Sequence, residues 1–355
     1  MKRQSLSYNE SLSTITTIGD IRHCNILLPY STTGENGGNA GGHGCKDMEG
    51  KAIGGGSQVR SFSYRTVTFH ISIMHKALIK MKPKFSINIP VISDKHIEEC
   101  LSCIFRSKFQ DFEVIINDSS KDYYVSDIIS KYDVKIIKKN TKSFESRMIS
   151  TLASVGSRVL MLDDTRLISN ALLEKLDAMP EDIIVIGEKD IGKGILTRLS
   201  NLDKKAIVMN KDKLNPIKNK SVIPRLYKRE VIVAALNKIK ASLNDGILNN
   251  IVGLDLEIIY FEAFKISQNI GYIKSQEILH YGDETVKSVF RKYYRYGYTQ
   301  RMLRETVYYQ LANISGRTRY GFTVGDRILS MPLQTIRGFP FILGYISGSK
   351  GLQYP

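Results

Sequence analysis

Three places in this chain combine residue types and spacing that could do chemistry. At the first, the apolar run Val159-Leu160-Met161-Leu162 ends abruptly in Asp163-Asp164-Thr165. Adjacent carboxylates at the end of a buried strand offer hard oxygen ligands to Mg²⁺ or Mn²⁺, and such an ion can hold phosphates. In open α/β sheets that edge is also where ligands bind. A solvated turn built on an Asp pair is the structural alternative. The second place is Asp255 in Gly253-Leu-Asp-Leu-Glu257, at the start of an apolar-periodic stretch. A helix N-terminal acid favoured by the macrodipole explains it without function. The third is His280, which precedes the basic, aromatic segment Arg291-Lys-Tyr-Tyr-Arg-Tyr-Gly297.

These residues need a scaffold, and the pattern around them supplies one. Phe85–Val91, Phe112–Asn117, Val134–Ile137, Val159–Leu162 and Ile183–Ile186 read as strands. Helical patterns at Lys95–Ser107, Tyr124–Lys131, Ser143–Ser154 and Ala171–Ala178 separate them, with Asp94 placed to cap the first. Strands alternating with helices at this spacing predict βαβ units and a mostly parallel sheet flanked by helices. The Lys-rich stretch 188–225 is expected to hold short antiparallel strands. Further helices are expected at Lys228–Lys238, Asp255–Ser267 and Thr285–Val307.

Composition narrows the function classes. The 355 residues carry 51 Lys/Arg against 35 Asp/Glu, a net +16 that favours an anionic partner. Residues 285–355 alone hold 11 Lys/Arg and two acids, Glu305 and Asp326, or +9. Nothing approaches the roughly 20 apolar residues that span a bilayer, and the polar start lacks a leader pattern, so a cytoplasmic protein is expected. Four cysteines in a chain of this length form no disulfide framework. Cys100 and Cys103 have C-x-x-C spacing, but they lie on a helical face and have no second pair to complete a zinc site. Residues 1–80 include the glycine-crowded Gly34–Gly56 and read as a disordered extension, or as sequence upstream of a later start. Their glycines lack the spacing of a phosphate loop.

Between Phe85 and Leu303 the chain holds the strand ending in Ile89-Pro90, the phrase Phe109-Gln-Asp-Phe-Glu-Val-Ile-Ile-Asn-Asp-Ser-Ser-Lys-Asp122, Ser146-Arg147-Met148, Asp163-Asp-Thr165, Gly253-Leu-Asp-Leu-Glu257, and His280 with its basic helix. Together these motifs resemble the family 2 glycosyltransferases of the GT-A fold. The resemblance implies a nucleotide-sugar donor, with Pro90, Asp118, Arg147, Asp163, Arg291 and Lys292 around the nucleotide and its diphosphate. It implies a Mg²⁺ or Mn²⁺ ion at Asp163, Asp164 and His280, and Asp255 as catalytic base in an inverting single displacement. An acceptor hydroxyl must lose its proton as it attacks the anomeric carbon, and a carboxylate with apolar neighbours such as Leu254 and Leu256 suits that task. The chain departs from the family pattern at Asn117, Thr165 and Leu254, where Asp, Asp and Glu are usual.

The acceptor expected from the resemblance is a lipid-linked or polysaccharide glycan of the cell envelope. A catalytically silent domain that binds a nucleotide or sugar is the alternative. A nucleotidyltransferase would need a Gly- and Lys-rich N-terminal signature that is missing. Tyr/Arg interleaving also suits single-stranded nucleic acid, but no RNA-binding module accompanies it, so nucleic acid is not an expected partner. The segment 311–355 mixes Arg/Lys with apolar residues. It reads either as an interfacial segment on an anionic membrane, placing the protein peripherally on the inner face, or as a flap packed on the catalytic domain.

Overall fold

The structure is a computed structural model, which describes residues 82–92, 95–120, 123–208, 214–217, 222–313 and 322–349. All of them fall in the unit spanning Phe69–Pro355. The expectations for residues 1–80, for the Asp94 cap and for Asp122 lie outside the described residues.

Eight strands form one sheet: β1 (Phe85–Val91), β2 (Phe112–Asp118), β3 (Lys135–Lys138), β4 (Arg158–Met161), β5 (Arg166–Ile168), β6 (Ile183–Ile191), β7 (Leu226–Lys228) and β8 (Ile270–Tyr281). Their order is β3-β2-β1-β4-β7-β6-β8-β5. The first four are mutually parallel, β7 runs antiparallel between β4 and β6, and β5 closes the edge antiparallel to β8. The helices are α1 (Ile97–Phe105), α2 (Tyr123–Ser130), α3 (Ser143–Leu152), α4 (Leu172–Asp177), α5 (Ile195–Val208), α6 (Arg229–Ser242), α7 (Asp245–Leu248), α8 (Asp255–Ile266), α9 (Val286–Leu303), α10 (Tyr309–Asn313) and α11 (Val324–Ser349). The result is a mixed α/β fold with a curled sheet.

Both faces of the sheet's centre are covered, which is why β1, β2 and β4 read as continuous apolar runs. In β4 the pleat sends Leu160, and Leu162 beyond it, into one core with Ile87, Ile89 and Leu101. It sends Val159 and Met161 into the other, with Ile232, Leu236 and Ile259. The curl follows from chain length. β4 and β5 are four places apart in the sheet, about 19 Å in a flat one, yet Met161 and Arg166 are joined by a link that spans at most about 18 Å. The sheet must bend to bring β5 back. Asp163-Asp164-Thr165 is therefore a bridge across the mouth of the curled sheet rather than a free strand tip.

The stretch 188–225 differs from expectation. Its start extends β6 to Ile191, and Ile195–Val208 is helix α5, whose Leu196, Thr197 and Asp203 are buried. Of the lysines there, Lys204 and Lys205 lie on that helix and Lys189 on β6, while those at 211, 213, 218 and 220 lie outside the described residues. The 12-residue β8 is longer than any strand the pattern announced.

Candidate active site

Asp118 ends β2 and is 2% exposed. Its Oδ1 accepts hydrogen bonds from the Ser120 amide at 2.9 Å and the Ser120 hydroxyl at 2.5 Å, and Lys138 Nζ lies 3.7 Å from its Oδ2. Pro90 is buried in β1 opposite Asn117, and Val91 pairs with Asp118. Beside it, Asn117 Nδ2 donates to Thr141 Oγ1 at 3.0 Å, while its buried Oδ1 has no partner. A buried carbonyl without a donor costs of order 1–3 kcal/mol, and with Asn117 wholly enclosed that cost is borne within the fold.

The centre of the site is Arg147, buried on α3. Its Nε donates to Asp255 Oδ2 at 2.9 Å, its NH1 to the Leu162 carbonyl at 3.1 Å, and its NH2 to Asp163 Oδ1. Ser143, one turn earlier, donates to the same Asp255 oxygen at 2.9 Å. Thus α3 gathers the acid after β4 and the acid that opens α8 into one cluster. Local backbone helps to set Asp255. Leu254 has φ 59°, the one positive-φ non-glycine among the described residues, and Gly253 has φ 91°. A Cβ on Gly253 would clash with the edge of the Tyr296 ring, so only glycine lets that ring sit on the approach to Asp255. Leu254 in the left-handed region stores strain of order 1 kcal/mol beside a candidate functional acid.

A second cluster adjoins the first. In the sheet, Asp190, His280 and Arg166 stand side by side on β6, β8 and β5. Arg166 binds the second oxygen of Asp163 and lies 3.2 Å from Glu188. Glu188 also takes Arg225 Nε at 2.6 Å and Lys204 Nζ at 3.5 Å. Lys204 reaches Asp190 at 2.6 Å, and Asp190 Oδ1 meets His280 Nδ1 at 2.5 Å. Burial works against the Glu188 charge, but Arg166, Arg225 and Lys204 outweigh it and hold the carboxyl well below its usual range. Burial and the neighbouring Arg166 depress His280 to about 4, against the pull of Asp190, so its imidazole is neutral at pH 7. These groups line a cleft of about 190 Å³, shared with Lys292, Tyr293 and Tyr296 of α9 and Arg337 of α11.

The structure therefore brings Arg147, Asp163 and Asp255 together, and links them through Arg166 to His280. Lys292 lines the same cleft and pairs with Asp283 at 3.2 Å. Arg291 is exposed and does not line the cleft. Asp164 is half-buried beside Asp163. Sequence reasoning missed Arg166, Glu188, Asp190, Lys204 and Arg225. The one available signal was the spacing of Glu188 and Asp190, which puts both acids on one face of β6.

The expected metal site does not fit its residues as they stand. Among the described residues no group of three or more His, Cys, Asp and Glu side chains converges. Both Asp163 oxygens hold guanidinium groups, and His280 turns Nδ1 to Asp190. Mg²⁺ and Mn²⁺ are oxygen-loving cations that need several open oxygens. Cys100 is buried in α1 and Cys103 half-buried, both as free thiols.

No protein-family model and no curated protein matches the sequence. Solved structures do resemble the chain. The crystal structure of S. aureus TarS residues 1–349 with UDP-GlcNAc matches with a TM-score of 0.46 and 14% identity, over 77% of this chain and 93% of that one. The same fragment with UDP matches at 0.44 and 15% identity, with the same coverage. The longer S. aureus TarS structure matches at 0.43 and 15%, and the likeness spans 55% of its length.

Proposed function

We propose that this protein is a nucleotide-sugar-dependent glycosyltransferase of GT-A type that hands a sugar to a glycan or lipid-linked acceptor by single displacement. The observation that carries the reading is the junction at Arg147. Residues quoted from three separate motifs of the sequence resemblance, Arg147, Asp163 and Asp255, are in direct contact at the carboxyl end of the parallel strands. That edge is where α/β sheets bind ligands.

In this reading the nucleoside lies at the carboxyl end of β1 and β2, next to Asp118 where β2 ends. The diphosphate lies toward Asp163, where Arg147 and Arg166 supply positive charge as the leaving group departs. Asp255 accepts the acceptor's proton through Oδ1, because both hydrogen bonds from Ser143 and Arg147 fall on Oδ2. Tyr293, Tyr296 and Lys292 line the approach for the acceptor. The Mg²⁺ or Mn²⁺ ion expected from the sequence would need one of the guanidinium groups on Asp163 to move aside, and no step here depends on it.

A second reading, a domain that binds a nucleotide sugar without transferring it, is favoured by the Asp255–Arg147 pairing, since one carboxylate oxygen is already taken up by Arg147 and Ser143. Titration calorimetry with UDP-, GDP- and dTDP-sugars, with and without Mn²⁺, followed by a donor-hydrolysis assay, separates these. Binding with slow hydrolysis supports the transferase, and binding with none supports the module. No binding of any nucleotide sugar defeats both.

A further inference from the structure

Helix α11 divides into two contrasting faces. Ser330, Leu333, Pro340 and Gly344 are buried, and Gly344 meets α9 so closely that a Cβ there would fall on the Tyr294 carbonyl. Arg337 anchors the same side, bonding Asp203 and lying 5.2 Å from the Tyr293 ring. On the opposite side Val324, Ile328, Met331, Phe339, Ile342 and Ile346 recur at helical spacing and are 51–76% exposed. A helix already held by one face gains nothing in folding from an apolar stripe on the other. A contiguous stripe of this kind marks a surface that meets something apolar.

Charge decides what that is. The segment from residue 285 onward carries +9, and the exposed surface of α9, the helix packed on α11, bears Lys287, Arg291 and Arg295 at four-residue steps, with Arg327 on α11 itself. A second copy of this chain docked through the stripe would bring one +9 segment against another, which Coulomb repulsion opposes. An anionic lipid surface satisfies both features, apolar side chains entering the acyl boundary and basic ones meeting headgroups. No helix among the described residues is long and apolar enough to cross a membrane, so the contact lies in the plane of the interface. We propose that the outer face of α11, flanked by the α9 basic row, docks the protein on an anionic membrane. The proposal does not depend on the transferase reading.

The test is co-sedimentation of the full chain with phosphatidylglycerol-containing vesicles and with pure phosphatidylcholine vesicles. Expected are binding to the first, weakening as salt rises, and little binding to the second. The Ile342→Asp/Ile346→Asp protein should bind at least tenfold more weakly with an unchanged thermal melt, and Arg291→Glu about fivefold more weakly or worse, since each basic residue near a charged surface contributes about that factor. If the double variant loses its fold, Phe339→Asp repeats the measurement at one exposed site. Absence of vesicle binding, wild-type binding by a folded stripe variant, or concentration-dependent dimers that the stripe variants abolish each overturns the proposal, the last in favour of a second copy.

Discussion

Arg147 of α3 and Asp255 of α8, 108 residues apart in the chain, meet Nε to Oδ2 at 2.9 Å, and the same guanidinium holds Asp163. One cation thus spans two acids that come from different parts of the fold. Its burial means that water cannot easily replace it.

Removing that cation should be costly. Arg147→Met leaves the half-buried Asp163 and the buried Asp255 without their shared partner, a class of change worth about 3–5 kcal/mol. For a domain of this size the melting temperature should fall by about 6–20 °C. A melt within 2 °C of wild type would show that water or Arg166 replaces the bridge.

Asp255 separates the two functional readings. As the base it acts on the acceptor and contributes little to holding the donor, so Asp255→Asn should keep donor affinity within a few-fold and lower turnover by about 10²–10⁴. Asn is nearly isosteric and can still accept from Ser143. Unchanged turnover in a well-folded variant sinks the assignment and moves attention to Glu257, in the same first turn of α8.

How much of this arrangement was legible in the sequence depends on locality. The runs Phe85–Val91 and Phe112–Asp118 announced themselves because both sheet faces are buried there. β8 stayed hidden because Lys274, Ser275 and Gln276 interrupt its apolar pattern, next to the register shifts at Ile186, Gly187 and Glu188 where its pairing with β6 is irregular. The Asp163 pair was visible as chemistry, but its partners Arg147 and Arg166 come from an earlier helix and from a strand recruited to the far edge. Charged residues such as Glu188 and Lys204 look solvated in a linear reading. Only the curl of the sheet shows that they are half-buried against one another.

The His280–Asp190 pair makes stability depend on pH. Burial and Arg166 depress His280 from 6.5 to about 4 in the folded protein. Between those values the unfolded chain takes up the proton and the folded one does not, so stability is full above about pH 6.5 and falls as pH drops toward 4. The contribution is of order 3 to 4 kcal/mol, since each pKa unit is worth about 1.4 kcal/mol. Denaturant melts across that range should show a steeper loss in wild type than in His280→Gln. Parallel slopes would mean that the imidazole is protonated in the fold.

The glycine contact between α9 and α11 should matter to stability in a way the exposed stripe does not. A Cβ on Gly344 would fall on the Tyr294 carbonyl, and one on Gly297 on the Phe341 carbonyl, so each helix presses backbone against backbone. Backbone cannot swing aside as a flexible side chain can, so Gly344→Val must push the helices apart. Overpacking of this kind costs about 1–3 kcal/mol, and here it also loosens Leu333 and the Arg337 contacts with Asp203 and Tyr293. The melting temperature should drop by about 2–10 °C, and α11 should become the earliest site of limited proteolysis. Ile342→Asp, two residues earlier on the bare face, should leave both unchanged. A stable, protease-resistant Gly344→Val protein would mean that α11 is only loosely laid against α9, and the two-faced description of that helix would fail with it.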